Sequence, residues 1–557
     1  MYLLVLLSYL LPSTFALSPQ NHIGLTSHVS KLTPEHWSTE YAPKRENAIT
    51  NARNIFNTIH SAKRQWGSSV QHNGMSFIPA TVPEGTLLYH GDPDREHVKG
   101  MEWLAFEIQH AEMFAAPRPP RVPRSPGEKA SAEEPLGSHR EMVRNHMLLG
   151  DPRGDFPDPR TFVPGYLHIY QANRPLKLLY LDGMAAANCD RGTYDSQVYV
   201  LLENKTTWRD EFENACSLCE MGAEWGVDGF IRMEIGFEII YCEFQDGLDL
   251  VSSYQTPHHG DPEDLNGLTI FETVRETAQR YQGIDSGRLR LEYTNMISAY
   301  FYPVNLTNPI PGNEDPRLLF TSTAQLARIK SDLAAEITAL HPGHITDWQG
   351  QVIDMITARY SDRLKFLATG PEHEQFLGIL NNMLNTYVDY NGTATRTQII
   401  EKCAHHYLLP VTPRTMQDRY IHAAVATVMT RICTTLYQAR DILIDELELN
   451  LEAEPPSTTP QQLVQELNKW LDWPDWKFCR KCEENEVCYI AMFPFGSVDD
   501  HFFPRCKNES EIRQPSRDSS LPGGARNYWW SGWDPRKERD PPCEPEPDKP
   551  DETKEYL

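Results

Sequence analysis

The sequence has little that suits a membrane or nucleic acid. Only one stretch, Leu3–Leu11, approaches an unbroken apolar run, and it is far shorter than the ~20 residues that a membrane-spanning helix needs. Basic residues number 52 against 77 acidic residues, which gives a formal net charge of −25. Such a chain repels phosphate backbones and anionic lipid surfaces. We therefore expect a soluble protein with no nucleic-acid partner and no membrane insertion.

Motifs of the common secreted hydrolases are missing as well. The sequence contains no Gly-x-Ser-x-Gly elbow and no Walker phosphate-binding loop. Its two histidine pairs, His258–His259 and His405–His406, lack the i, i+4 spacing that a zinc hydrolase helix uses. We interpret both pairs as surface residues and predict no metal centre.

The N-terminal residues predict entry into the secretory pathway. Residues 1–16 combine the apolar run with a small-x-small cleavage signal at Thr14–Ala16, a pattern typical of a signal peptide. Four sequons, none with proline in the middle, predict N-glycans. The sequons begin at Asn204, Asn305, Asn391 and Asn508. We expect a secreted glycoprotein, either extracellular or in the lumen of the secretory pathway.

Eleven cysteines are distributed unevenly along the chain. C-x-x-C spacing occurs at Cys216–Cys219 and at Cys479–Cys482, and it fits a redox dithiol, a zinc knuckle or parts of two disulfides. Disulfides are the expected state in an oxidising compartment. The C-terminal cysteines that are close enough in sequence to pair among themselves are Cys479, Cys482, Cys488 and Cys506.

Apolar periodicity divides the chain into two kinds of structure. Short apolar runs alternate with helical patterns up to about residue 250, and the period becomes 3.6 from about residue 264. The stripes Leu326–Leu340 and Ile421–Leu443 are typical of packed amphipathic helices. We predict an α+β fold, with a mixed N-terminal α+β domain, then an α-helical bundle and a cysteine-rich C-terminal tail. The predicted segments are a signal peptide at 1–16, a partly disordered stretch at 17–45, the α+β domain at 46–250 with a disordered insertion at 117–140, the helical domain at 264–450, a linker at 452–460, a cysteine-rich flap at 461–510 and a disordered tail at 511–557.

Three motifs in the α+β domain are candidates for a binding site. A predicted strand ends in Tyr89-His90-Gly91, and an aromatic segment containing Trp103 precedes a short helix. A later strand carries Glu238 between two aromatic residues. In this order the motifs, over roughly residues 50 to 245, resemble the ADP-ribosyltransferase superfamily of the diphtheria-toxin and poly-ADP-ribose polymerase type.

The resemblance implies that NAD is bound as a substrate. His90, in the same motif as Tyr89, would hydrogen-bond the nicotinamide ribose, and Trp103 would stack on the nicotinamide ring. Glu238 would stabilise the oxocarbenium-like transition state. Two positions depart from the family pattern, because Asp92 follows Gly91 in place of Ser or Thr and Trp103 replaces Tyr. The implied site is therefore active or degenerate, as an ADP-ribosyltransferase or NAD glycohydrolase.

A structural interpretation of the same residues stays open. His90 can bond a turn carbonyl, Trp103 can be core, and Glu238 can pair with Arg232. The chain also resembles uncharacterised secreted proteins of filamentous fungi in the segments Asp228–Glu234 and Phe493–Gly496, which implies no activity. The alternative function is a non-catalytic, disulfide-stabilised interaction protein of the cell wall or matrix.

Overall fold

The computed structural model describes residues 39–115, 164–205, 211–256, 270–284, 287–339, 346–448, 458–479, 481–512 and 527–529. The predicted signal peptide and the predicted insertion at 117–140 lie outside the described residues. Residues from Glu40 onward form one compact unit. The predicted division near residue 250 therefore describes a change in secondary structure and not a gap between two packed bodies.

Ten strands form one curved mixed sheet. The strands are β1 (Asn73–Val82), β2 (Leu87–Asp92), β3 (Glu102–Ala105), β4 (Tyr166–Ala172), β5 (Leu176–Gly183), β6 (Gly229–Met233), β7 (Phe237–Tyr241), β8 (Leu248–Gln255), β9 (Arg290–Leu291) and β10 (Ile297–Ser298). β9 and β10 both pair with one edge of β1, and from β1 the order is β1-β5-β6-β7-β3-β2-β4-β8. Only the pairing of β5 with β6 is parallel within the described residues.

Helices cover both faces of the sheet. The first are α1 (Arg45–Thr50), α2 (Ala52–Ser61), α3 (Gln65–Val70), α4 (Ile108–Glu112), a π-helical turn (Ser196–Leu201) and α5 (Glu211–Trp225). On one face, α2 and the start of α3 approach Tyr180, whose hydroxyl accepts a hydrogen bond from the backbone N of Lys63 at 3.0 Å. On the other face, α5 brings Glu211 to Arg232. We call these the α2 face and the α5 face.

The second half of the chain is helical, and the α+β fold class is confirmed. Its helices are α6 (Ile270–Ala278), α7 (Thr323–Thr338), α8 (Asp354–Leu367), α9 (His373–Leu384), α10 (Arg396–His405), α11 (Met416–Glu448) and α12 (Pro460–Leu471). They pack on the first helices: Arg64 binds Asp354 of α8 at 2.6 Å, and the Tyr420 hydroxyl of α11 donates to the Pro43 carbonyl. No helix in the described part of the chain is both long enough and apolar enough to cross a membrane.

Among the described residues, no disulfide joins the two cysteines of a C-x-x-C pair. Cys219 of the first pair is bonded to Cys242, and outside both pairs Cys403 is bonded to Cys433. In the C-terminal part, a small hairpin is formed by β11 (Glu486–Tyr489) and β12 (Arg505–Asn508), with α13 (Val498–Phe502) between its strands and α14 (Glu509–Ile512) after it. Cys479–Cys488 and Cys482–Cys506 hold this hairpin.

The predicted disordered tail from residue 511 requires a correction. Residues Asn527–Trp529 are described, and Tyr528 and Trp529 are 1% and 0% exposed. The Trp529 indole donates to the carbonyl of Phe495 at 3.0 Å, and the Asn527 amide donates to that of Pro494. Aromatic burial on the hairpin region therefore anchors these residues, where the Pro-rich composition had suggested disorder.

Candidate functional site

Strand register places the predicted site residues on both faces of the sheet. Glu238 on β7 lies opposite Ala105 on β3, and Ala105 lies opposite Tyr89 on β2. Directly opposed residues share a face, and successive residues along a strand alternate between faces. Tyr89, Trp103 and Glu238 therefore lie on the α5 face, and His90 lies on the α2 face. The convergence of His90 with Trp103 and Glu238 in one nicotinamide pocket does not occur.

His90 is held by the protein itself. Its Nδ1 bonds the backbone carbonyl of Trp103 at 2.6 Å, and its Nε2 lies 3.2 Å from a carboxylate oxygen of Asp92. The ring packs against those of His168 and Phe244. Burial by itself lowers the pKa of His90. The hydrogen bond to Asp92 acts in the opposite direction, and the pKa is raised overall. Both ring nitrogens are thus engaged. The structural interpretation predicted a bond to a turn carbonyl, whereas the carbonyl that His90 meets belongs to strand β3.

Glu238 belongs to a buried group of charged side chains on the α5 face, which we call the charged cluster. Its members are His110, Glu211, Arg232, Glu234 and Glu238, each at most 6% exposed. Arg232 binds two of the carboxylates and a neighbouring amide. Its Nε donates to Glu238 at 3.1 Å, and its Nη1 donates to the amide oxygen of Gln197 at 3.1 Å. Arg232 also forms an ion pair with Glu211. The predicted pairing of Glu238 with Arg232 is confirmed.

The charged cluster carries more negative than positive charge. It contains three carboxylates and one guanidinium, and burial lowers the pKa of His110 to about 4, so that its imidazole is neutral near pH 7. Arg280, which follows α6, is a buried cation close enough to His110 to lower its pKa further. Ionised groups that are this deeply buried require a partner of opposite charge or a bound proton.

On the α2 face, a polar cavity opens beside the end of β5. It lies between α2, the start of β1 and the residue that follows α12. Its lining contains four carboxylates and one guanidinium, from Asp182, Glu314, Asp315, Asp472 and Arg53. We call it the acidic cavity. The space open to the centre of a water molecule is about 50 Å³, and a single water needs roughly 10–15 Å³ on this measure. The cavity therefore holds a few waters or one small polar group.

Asp182 is the buried carboxylate of the acidic cavity. One oxygen accepts from the backbone N of Ser76 at 2.7 Å, and the other accepts from the Thr58 hydroxyl at 3.1 Å. The residue is 4% exposed, and burial raises the pKa of Asp182 to about 7. Near neutral pH this carboxyl is therefore present in both protonation states.

Two residues that line the acidic cavity have buried acceptor atoms without partners among the described residues. Asn57 donates its amide hydrogens to the carbonyls of Leu471 and Asp472. Its oxygen is buried and has no hydrogen-bond partner among the described residues, and the same holds for the hydroxyl oxygen of Ser61. Buried polar atoms without partners are uncommon in folded proteins. Both residues line the acidic cavity together with Asp182.

A chain of hydrogen bonds ties the anchored C-terminal residues to the cavity wall. Tyr528 donates its hydroxyl to Nε2 of His72 at 2.7 Å, and Nδ1 of His72 donates to the Asn73 side chain at 2.8 Å. Asn73 lines the acidic cavity. Burial lowers the pKa of His72, so a neutral ring can serve as donor at one nitrogen and acceptor at the other. The guanidinium of Arg191 lies over the Tyr528 ring at 3.8 Å.

Sequence reasoning missed the acidic cavity. The one available signal was Asp182 itself, a carboxylate that ends the apolar run beginning at Pro175. Thr58 and Ser76, which bind its carboxylate, come from positions 124 and 106 residues away. Separations of that size leave no local pattern.

A family of known proteins matches the part of the chain that forms the first eight strands of the sheet. Residues 42–270 match the family described as the YPL277C N-terminal domain. That range includes β1–β8 and therefore the whole charged cluster, as well as Asp182, Asn57 and Thr58 of the acidic cavity. Three of the cavity's carboxylates lie outside it: Glu314, Asp315 and Asp472.

The chain is similar to two proteins of Saccharomyces cerevisiae. It is 25% identical to "Uncharacterized protein YOR389W", over 83% of this chain and 85% of that protein. It is 31% identical to "Uncharacterized protein YPL277C", over 42% of this chain and 49% of that protein. The chain thus spans about half the length of the second relative. No solved structure matches the chain.

Proposed function

We propose that this chain is a secreted, disulfide-stabilised binding protein whose acidic cavity takes the cationic amine end of a small ligand or of a partner's side chain. The observation that carries the proposal is the buried Asp182 carboxyl beside two acceptors without partners among the described residues, Asn57 Oδ1 and Ser61 Oγ. A protonated amine has three donors and no acceptor. It matches a wall that offers acceptors.

Charge and size both favour an amine. The lining carboxylates exceed the single lining guanidinium of Arg53, which is itself paired with Glu314 at 3.1 Å. A cation in the cavity reduces this excess of negative charge. The small volume fits an ammonium group with a few carbons and has no room for a dinucleotide. When an amine with a long polar substituent binds, most of the molecule must therefore stay outside the acidic cavity.

The transferase hypothesis finds less support in the same geometry. Its NAD pocket needs His90 within one ligand's width of Trp103 and Glu238, but the sheet separates them. His90 bonds Trp103 and Asp92, and Glu238 bonds Arg232. The binding function requires nothing of these residues.

The secreted location rests on the sequence pattern and is compatible with where the sequons lie. Asn204, Asn305 and Asn391 are exposed, whereas Asn508 is half-buried on β12. Protein made through a eukaryotic secretory pathway should lose mass on glycosidase treatment, with glycans mapped to the three exposed sites. An unchanged mass contradicts the secreted location.

Calorimetric titration with matched small molecules tests the proposed ligand class. Butylamine and putrescine should bind the full-length protein, whereas 1-butanol and butyrate of similar size should not. Asp182→Asn keeps the shape of the side chain and removes its charge, so amine affinity should fall at least about tenfold, or about 1.4 kcal/mol. Asp362→Asn, an exposed carboxylate on α8, is the matched control and should bind as the unmodified protein does.

Two results overturn the proposal. The first is equal binding of 1-butanol and butylamine, which makes the cavity an apolar or non-selective site. The second is undiminished amine binding by Asp182→Asn, which places the binding elsewhere on an acidic surface.

A further inference from the structure

The charged cluster contains three potential metal ligands that point at one another. A ring nitrogen of His110, a carboxylate oxygen of Glu234 and a carboxylate oxygen of Glu238 all lie within 4.8 Å of one another. His110 Nε2 and Glu234 Oε1 are 3.6 Å apart. Ligand atoms at 2.0–2.1 Å from a tetrahedral ion are roughly 3.4 Å apart. Small side-chain shifts therefore bring all three onto one ion.

His110 is oriented as a metal ligand. Its Nδ1 lies 3.3 Å from the backbone carbonyl of Phe237, which can only accept, so Nδ1 carries the hydrogen. Nε2 then has a lone pair, is buried, and has no hydrogen-bond partner among the described residues. Metal-binding histidines commonly donate their second nitrogen to a carbonyl in this way, because that bond fixes both tautomer and ring orientation.

The turn between β6 and β7 is shaped to admit the imidazole. A side chain at Gly236 would place its Cβ 2.7 Å from His110 Nδ1, which is closer than such atoms can approach. Glycine at this position therefore leaves room for the ring of His110, which lies on α4. Glu234 is part of this turn, and Glu238 follows it on β7. The close approach of imidazole and backbone depends on this one position.

Arg232 supports the carboxylates of this site. It already donates to Glu238 Oε1, which is the outer-shell support that metal-binding carboxylates usually have. The charged cluster contains three carboxylates and one guanidinium, and such a surrounding favours a cation.

We propose that His110, Glu234 and Glu238 bind one divalent transition-metal ion of the zinc class, as a structural ion that ties α4 to the β6–β7 turn. The donor set of one imidazole and two carboxylates suits zinc better than calcium or magnesium, which prefer oxygen ligands alone. Because the residues are nearly inaccessible, the ion enters as the chain folds. The site is separate from the acidic cavity, which lies on the other face of the sheet.

Metal analysis of the full-length secreted protein tests the proposal. After dialysis against metal-free buffer, mass spectrometry should find about one zinc per chain. A strong chelator should lower the melting temperature by at least about 5 °C, and added zinc should restore it. His110→Gln should lose the bound metal and this response. The control is His168→Gln, a buried histidine that bonds the Asp94 carbonyl on the other face and should keep the metal.

Cobalt substitution distinguishes this site from the clustered cysteines. It also tests the proposal on the unmodified protein if His110→Gln does not fold. Cobalt bound to nitrogen and oxygen shows visible bands of tetrahedral Co²⁺ without the near-ultraviolet charge transfer that thiolate ligands produce. Sulfur coordination would place the metal at Cys479, Cys482 and Cys506 and overturn the proposal. So would metal-free protein with an unchanged melting temperature, because a proton then balances the charge.

Discussion

The two faces of the sheet bury carboxylates by different means. On the α5 face, Glu211 and Glu238 share the guanidinium of Arg232. On the α2 face, Asp182 is buried with hydrogen bonds from Ser76 and Thr58 and has no ion pair among the described residues. In the first arrangement the two carboxylates share a buried cation and are closed to water. The second keeps a carboxyl close to its titration point and leaves it beside a cavity, which is the arrangement suited to binding.

Desolvation explains the difference. Removing a carboxylate from water favours its neutral form, and only an opposite charge or several donors restore the ionised form. Asp182 receives hydrogen bonds from neutral donors, and burial keeps its pKa raised to about 7. A ligand that supplies the missing positive charge is therefore expected on the α2 face, whereas on the α5 face Arg232 already supplies a cation to Glu211 and Glu238.

Removing the guanidinium should have the largest effect on stability. Arg232→Met leaves Glu211 and Glu238 buried without their shared cation, so the free energy of unfolding should fall by about 3–5 kcal/mol. Guanidinium chloride denaturation measures the change. Arg95→Met, on an exposed loop, should change it by less than about 0.5 kcal/mol. A small effect of Arg232→Met would mean that the carboxylates of this face are protonated, and the contrast between the faces would disappear.

Asp182→Asn should increase the free energy of unfolding, whereas Arg232→Met decreases it, and the size of this increase should depend on pH. The raised pKa means that the folded state keeps its proton as pH rises from about 4 to about 7, while the unfolded chain loses it. The unmodified protein should therefore lose stability over this range, by up to about 1.4 kcal/mol per pH unit from this group. The amide introduced by Asp182→Asn cannot titrate but keeps an oxygen acceptor for Ser76.

Denaturation at pH 5, 6, 7 and 8 compares the two proteins. Their stability curves should separate progressively up to pH 7 and run parallel above it. Curves that are parallel throughout would show that Asp182 is ionised in the folded protein, with a counter-charge as on the α5 face.

Much of the helical half follows from apolar periodicity. The stripes Leu326–Leu340 and Ile421–Leu443 lie largely in α7 and α11. Apolar residues with a period of 3.6 fall on a single face only when the chain is helical, so burial of that face favours a helix. β1 was not predicted, since its run is interrupted by Pro79. In the sheet Pro79 lies between the short stretches that pair with β10 and β9, so the edge of β1 is covered in two pieces. That arrangement depends on residues more than 200 positions away.

The candidate site could not be predicted to the same extent, because strand order and register are not local. The sequence shows that Tyr89 and His90 face opposite ways, since neighbours in a strand alternate. Which of them shares a face with Glu238 depends on the register through β3, and a shift of one residue exchanges them. The short motifs that suggested a transferase contain no information on that register.

Amine affinity should follow the ionisation of Asp182. A cation binds the carboxylate and not the carboxylic acid, so affinity should rise up to about tenfold per pH unit below pH 7 and level off above it. At pH 7, binding should release about half a proton per ligand. Titration in two buffers of different ionisation enthalpy measures that release. Affinity that does not vary with pH would exclude Asp182 as the group that receives the amine.

The smallest expected effect concerns the link between the anchored C-terminal residues and the cavity wall. Tyr528→Phe removes one hydroxyl, which donates to His72 at 2.7 Å, and leaves the ring stacked on His501 at 3.9 Å. A buried hydrogen bond of this kind contributes about 1 kcal/mol, and stability should fall by that amount. His72 then loses the donor that fixes its orientation toward Asn73, so amine affinity should fall two- to threefold. Tyr390→Phe, on an exposed residue, controls for the loss of a hydroxyl alone. Lower stability with unchanged affinity would show that the C-terminal residues brace the fold but do not shape the acidic cavity.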